Sequence, residues 1–315
     1  MFNLIQKRRY FFLLSAAIIV PGLIIMIYST ITTGSPFRLS IDFIGGSIYE
    51  LAFTEAGATE ASIRDAFVAQ GDDSVTVQQL GSPEEHRWSV RSLIQDQATS
   101  DLVLAELEKI APIDRTLLRS ESVSATVGQE VARAAVVAVA VAAAVIIGFI
   151  VIAFRQVPRA FRYGVCAVAA MLHDVLVICS LISLAGLVLG WEVDALFLTA
   201  LLTIVGFSIQ DTIVIFDRIR ENIPRYLGEP YETIVNRSIL ETIHRSLATQ
   251  LNAFFVMAAI LLFGGDTIKQ FIAILFIGML SGTYSSIFTA VPLLVSWEKG
   301  EIPFINQRRT AAVEG

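Results

Sequence analysis

Six stretches of this chain are long and apolar enough to cross a lipid bilayer, and they constrain its fold more than any other feature. A spanning helix needs about 20 mostly apolar residues. Windows of that kind lie at 11–28, 131–154, 163–189, 196–216, 247–263 and 271–294. Composition agrees, with 55% of 315 residues apolar, 17% charged and a mean hydropathy of +0.67, where about a quarter of the residues of a soluble domain are charged. Lys7, Arg8 and Arg9 precede the first window as in a signal peptide. The stretch 30–36 has no good small-x-small cleavage site and leads into more membrane sequence, so the first span is expected to be retained.

Charge is unevenly placed. The whole chain carries 23 Lys/Arg and 29 Asp/Glu, a net −6. Residues 30–130 hold seven basic and sixteen acidic side chains, net −9, which leaves +3 for the rest. One acidic insert therefore interrupts an apolar chain. This balance excludes a strongly basic nucleic-acid binder, and the apolar content excludes disorder. Cys166 and Cys179 share one apolar run, which as a single helix holds them about 20 Å apart, too far for a disulfide.

Orientation follows from basic residues in the short loops. Lys7, Arg8 and Arg9, then Arg155, Arg159 and Arg162, then Arg218, Arg220, Arg225 and Arg237, and finally Lys299, Arg308 and Arg309 all fall on one side of a six-span arrangement. The opposite loops, 190–194 and 264–269, carry little positive charge. Both termini are thus expected in the cytoplasm. The expected divisions are a tail with span one at 1–30, an extracytoplasmic domain at 31–130, spans two to six at 131–297 and a cytoplasmic tail at 298–315.

The insert has its own periodicity. Residues 47–53, 74–80, 88–93 and 115–123 alternate like strands, whereas 58–70 and 100–110 repeat like helices. Val103, Leu104, Leu107 and Ile110 make an apolar helical face, Ser100 is placed as an N-cap, and Gly81-Ser82-Pro83 marks the central hairpin turn. The order βαββαβ predicts a ferredoxin-like α+β domain, a fold that assigns no activity by itself.

No phosphate-cradling GxxxxGK[ST] loop, zinc-spaced Cys/His set or G-x-S-x-G elbow occurs in the sequence. No enzymatic reaction, cofactor or metal is therefore expected, and an ion gradient is the natural energy source for a polytopic protein. Carboxylates at membrane depth cost at least about 2.5 kcal/mol on insertion scales, so each needs a reason. Asp211, late in span four, shares a helical face with Ser208 and Arg218; Asp174 lies mid-span three beside His173. Asp211 reads as a protonatable site, since apolar surroundings favour the neutral acid and an approaching guanidinium favours the anion. The plainer reading is a fixed ion pair between helices. Arg245, opening span five, is the nearest candidate partner. Asp174 reads more readily as a hydrogen-bonding strut and His173 as a packing residue. Span six carries Gly278-x-x-x-Gly282, and span two carries Ala134, Ala138 and Ala142, all small enough for close helix approach within the bundle or at a subunit interface.

These strings resemble a known family. The run from Ile204 to Asn222, with Gly206-Phe207-Ser208-Ile209-Gln210-Asp211-Thr212 and then Phe216-Asp217-Arg218, closely resembles the signature of SecF-type subunits of the bacterial protein translocase, in the SecD/SecF family of the resistance-nodulation-division superfamily. Ile41-Asp42-Phe43-Ile44-Gly45-Gly46, Leu172-His173-Asp174, Arg245-Ser246-Leu247 and Gly282-Thr283-Tyr284-Ser285-Ser286 agree in order. The resemblance implies a multi-pass protein of the bacterial cytoplasmic (inner) membrane that pairs with SecD, associates with the SecY-E-G channel and, indirectly, with SecA and preproteins, and uses the proton motive force in export. It ties proton passage to Asp211 and Arg245. Departures are Gln210 where the family usually has Asn, Ser40 where Gly precedes Ile-Asp-Phe, and Ser124-Ala125 where Gly-Pro is usual. The first bears on hydrogen bonding in the proton relay, the last on the junction between domain and membrane.

The expected mechanism is that a proton neutralises Asp211, weakens its attraction to Arg245 and changes how spans four and five pack. The rivals are a small-molecule exporter of the same superfamily and a purely structural scaffold subunit.

Overall fold

The computed structural model describes residues 4–301 except 73, 74, 95, 156 and 158. The expected basic residues Arg308 and Arg309, most of the tail and the start of the strand placed at 74–80 lie outside the described residues. The chain forms two compact units, one of them Leu39–Val136 together with Glu192–Ala195.

That unit is the α+β domain. A short helix α2 (Ile41–Ile44) leads into β1 (Gly46–Ala52), α3 (Glu60–Val68), β2 (Thr76–Leu80), β3 (Arg87–Ser92), α4 (Gln97–Ile110) and β4 (Arg119–Val123). The sheet order is β2-β3-β1-β4 with every pair antiparallel, the ferredoxin-like arrangement expected from the periodicity. Alternation along β1 sends Tyr49 and Leu51 into one core with Val90 of β3 and with Ile63, Phe67, Val103 and Leu107 of the two helices. Burying each of these large side chains contributes about 1.5–3 kcal/mol. The edge strand β4 is exposed and carries Arg119 and Glu121, charges that discourage pairing with another chain.

Three boundaries differ from expectation. α4 starts before Ser100: Asp96 is its N-cap and accepts from Thr99 N–H at 3.0 Å. Ser100 is buried instead, its hydroxyl 2.6 Å from that of Tyr49. Second, β4 begins at Arg119, because Asp114 folds the preceding segment into a turn by accepting from Thr116 N–H at 2.9 Å. Third, α2 was not anticipated. Ser40 caps it, accepting from Asp42 N–H at 3.4 Å with φ −73°, a conformation that does not require glycine.

The other unit is helical. Besides α1 (Arg8–Thr33) it contains most of α5 (Ala125–Ala153), α6 (Ala160–Val188), α7 (Ala195–Arg225), α8 (Tyr231–Phe263), α9 (Asp266–Ser285) and α10 (Val291–Glu298). A π turn over Ser286–Ala290 joins the last two into one span. Among the described residues, six helices are long and apolar enough to cross a membrane. Two run well past the sequence windows: α7 to Arg225 and α8 from Tyr231, because amphipathic ends continue the helices where lipid is no longer needed. The spanning windows of α6, α7 and the last span are 56%, 50% and 44% buried, against 11%, 6% and 17% for α1, α5 and α8. Polar side chains are therefore satisfied inside mainly on the first three, with the inner faces of α1 and α8 contributing the rest. Gly22 of α1 lies so close to Ser180 of α6 that any side chain would collide. Cys166 and Cys179 are free thiols.

Candidate functional site: two buried carboxylates

Asp174 is 0% exposed. Three serine hydroxyls from two other helices donate to it: Ser208 of α7 at 2.6 Å and Ser285 of α9 at 2.6 Å to Oδ2, and Ser281 of α9 at 2.7 Å to Oδ1. His173 Nδ1 lies 3.1 Å from Oδ1, and its Nε2 is 2.9 Å from Ser15 Oγ on α1. Ser15 in turn reaches Tyr284 Oη at 3.4 Å, which donates to the Phe11 carbonyl at 2.8 Å. One acid thus ties α1, α6, α7 and α9 together.

Glycines make that approach possible. A Cβ on Gly282 would sit 3.3 Å from Ser208 and 3.7 Å from Asp174 Oδ2, and one on Gly278 would collide with Ile204 of α7. Both glycines of the small-residue motif therefore serve packing inside the bundle. One residue past Ser285 the helix widens into the π turn, a feature common at functional sites. Ser286 there meets Thr212 at 2.9 Å, while Thr212 donates to the Ser208 carbonyl at 3.1 Å.

Asp211 is 5% exposed and differs in kind. Gln250 Nε2 of α8 donates to its Oδ2 at 2.7 Å. Ser208, expected beside it, bonds Asp174 instead. Arg218, expected on its face, pairs with Glu221 at 2.8 Å and Glu241 at 2.6 Å. Arg245 lies on the exposed side of α8 and forms no ion pair among the described residues. The reason is helical: Gln250 and Ser246 stand four residues apart on one face, while Arg245, five before Gln250, points about 140° away. Gln210 is exposed, on a different face of α7 from Asp211. Asp217 pairs with Arg220 at 2.6 Å at the exposed end of α7.

Asp42, Gly45 and Gly46 serve a different purpose. Gly45 and Gly46 have φ of 77° and 133°, and a Cβ on Gly46 would lie 2.6 Å from the Ser92 carbonyl, so neither position accepts a side chain easily. Asp42 Oδ2 accepts from Ala195 N–H at 2.9 Å, the first residue of α7, supplying an anion where a helix offers unpaired donors. Glu192 of the same loop pairs with Arg91, and Ser40 N–H donates to the Val193 carbonyl at 2.9 Å.

Sequence reasoning missed Gln250, Ser281 and the roles of His173 and Ser285. The signal was present as polar residues at four-residue spacing in apolar helices: Ser246 and Gln250, and Ser281 and Ser285. Chemically, the bundle holds two buried carboxylates whose hydrogen-bond partners are amide, hydroxyl and imidazole groups, with no Lys or Arg paired to either among the described residues. This is the inner architecture of a polytopic membrane protein with polar side chains buried among its helices.

Comparison with known proteins gives the family. The model for protein export membrane protein SecD/SecF, C-terminal, matches residues 103–300, and that for the SecD/SecF GG motif matches residues 30–56. The protein translocase subunit SecF of Anaerolinea thermophila is 46% identical, with 96% of each chain covered, and that of Thermobaculum terrenum is 40% identical, with 98% of each covered. The crystal structure of SecDF, a translocon-associated membrane protein from Thermus thermophilus, superposes with a TM-score of 0.74 at 32% identity over 95% of this chain and 39% of that one. The chain belongs to the SecD/SecF family, and within it to the SecF-type accessory subunits of the Sec protein translocase.

Proposed function

We propose that this subunit works with SecD at the SecY-E-G channel of the bacterial cytoplasmic membrane, both termini in the cytoplasm, and uses the proton motive force to promote preprotein export begun by SecA. A SecD partner is supported by the SecDF match, in which this chain corresponds to 39% of the longer polypeptide. Orientation is supported by the one-sided distribution of basic residues.

The observation that carries the energy source is Asp211: a carboxylate 5% exposed, at membrane depth, hydrogen-bonded by an amide rather than a cation. Gln250 suits both protonation states. Its Nε2–H donates to the carboxylate, and after a half-turn of the amide its Oε1 accepts from the neutral acid. Protonation then releases α7 and α8 to repack. Arg245 enters this cycle only in a second conformation in which α8 has turned toward α7. Asp174 is the second relay candidate, with Ser208 on α7 linking it to the helix that bears Asp211. Moving one elementary charge through 100 mV yields about 2.3 kcal/mol, enough to shift a two-state equilibrium about fiftyfold.

The test is gradient-stimulated export in vesicles containing the assembled translocase. Asp211→Asn is expected to assemble and to lose the stimulation. Undiminished stimulation removes the reading, and joint loss of assembly and activity favours a scaffold.

A further inference from the structure

The two edges of the sheet in the α+β unit are built differently. The order β2-β3-β1-β4 leaves β2 and β4 with one partner each. An open edge is a template for pairing with another chain, and proteins guard such edges with charges, proline or bulges. β4 is guarded in this way by Arg119 and Glu121. β2, with the sequence Thr76-Val77-Gln78-Gln79-Leu80, carries no charge and no proline, and it pairs with β3 residue for residue, without a bulge.

The β2 edge is also accessible. Alternate residues of an antiparallel edge strand turn their N–H and C=O groups away from the sheet. Among the described residues, no hydrogen bond reaches β2 from anywhere but β3. Gln78 and Gln79 point to opposite faces of the sheet and both are exposed, so the middle of the strand is open from either side. Val77 lies in the same apolar core as Val90 of β3, which seats β2 without help from a further strand.

We propose that the free edge of β2 is a docking strand for preprotein, to which an extended, unfolded segment adds as one more strand of the sheet. The proposal rests on the export reading for its occupant. Strand addition takes affinity from main-chain hydrogen bonds and specificity from pockets for side chains. β2 offers the first without the second, since the side chains at its open centre are two uncharged amides. Recognition of that kind is blind to sequence, as a subunit that handles many different unfolded chains requires. Shortness limits the hold as well. Roughly two or three residues of this strand face outward, so a bound segment is released as the chain moves on. A folded partner strand of fixed sequence would call for matching charges along the edge, and β2 presents none.

The experiment uses the full chain in the assembled translocase, in vesicles, with a photoreactive benzoylphenylalanine at Gln78 or Gln79. A preprotein is stalled in mid-export by a tightly folded C-terminal domain, with SecA driving and no proton gradient. Ser120, exposed on β4, carries the same probe as the control. Adducts with the stalled preprotein are expected from β2 at about fivefold or more the yield from Ser120, and at similar yield for two preproteins of unrelated sequence. Gln79→Lys, which installs a guarding charge, is expected to lower the adduct at position 78 about threefold or more while leaving thermal unfolding unchanged. Yields no higher than at Ser120 overturn the proposal. So do adducts that form equally without preprotein and join β2 to SecD or to a second copy of this chain. The outcome is separate from that of Asp211→Asn. Loss of gradient stimulation in that variant with no β2 adduct sinks the edge alone, whereas a β2 adduct with stimulation intact supports the edge and sinks the Asp211 reading.

Discussion

The two membrane carboxylates invite comparison because both are buried, both sit on inner helices and neither pairs with Lys or Arg among the described residues, yet their surroundings differ. Asp174 meets three hydroxyls from two other helices and the imidazole of its neighbour His173, and no orphaned atom lies among them. Asp211 receives one amide, and that amide carries an unpartnered oxygen. A carboxylate with that many donors acts as a knot between helices. One with a single donor is held by fewer partners. The difference favours an architectural part for Asp174 and supports the proposed switching at Asp211, although sequence places both in the same class of costly intramembrane acids.

Several substitutions would break or sharpen this contrast, the largest effect first. Asp174→Ala leaves Ser208, Ser281, Ser285 and His173 around a void without an acceptor, with an expected loss of about 3–5 kcal/mol. Thermal unfolding of the full chain in mild detergent measures it, and an unchanged midpoint would deny Asp174 its tying role. Gly278→Leu drives a side chain into Ile204 and should cost about 1–3 kcal/mol in the same assay, by overpacking. A neutral outcome would mean that α9 does not seat on α7 as described. Asp211→Asn keeps an oxygen for the Gln250 amide and should shift stability by less than about 1 kcal/mol. A loss as large as that of Asp174→Ala would erase the distinction between knot and switch.

The smallest effect lies in water, at a third carboxylate. Asp96 is held below the usual carboxylate range because Thr99 donates to it from both backbone N–H and hydroxyl. Its contribution to the start of α4 is complete above the ordinary Asp value of about 3.9 and disappears as pH falls through the lowered folded value. Amide exchange in the first turn of α4 should therefore lose protection only in that acid window, and Asp96→Ala should remove the pH dependence there. Persistence of the dependence in the variant would assign it to another group.

Much of this was legible in the chain. Six apolar windows became six spanning helices, and the alternation within 47–123 became a β2-β3-β1-β4 sheet under two helices, because both patterns are set by the periodicity of burial along a single element. Helix ends were read less well. The window for span five opened at Leu247, whereas α8 begins at Tyr231, since hydropathy marks where lipid begins and not where a helix does. Ser100 looked like a cap because its residue type fits one. Asp96, four residues earlier, takes that position through a hydrogen bond that spacing alone could not rank above it.

Partner choice was the part that sequence left open. That Asp174 and Asp211 lie at membrane depth followed from hydropathy and position alone. That Asp174 meets Ser208, Ser281 and Ser285, and that Asp211 meets Gln250 and not Arg245, depended on how far each helix is rotated about its axis and how closely glycines let neighbours approach. Those are properties of several helices packed together, and a one-dimensional pattern carries the face a residue occupies but not the face it meets.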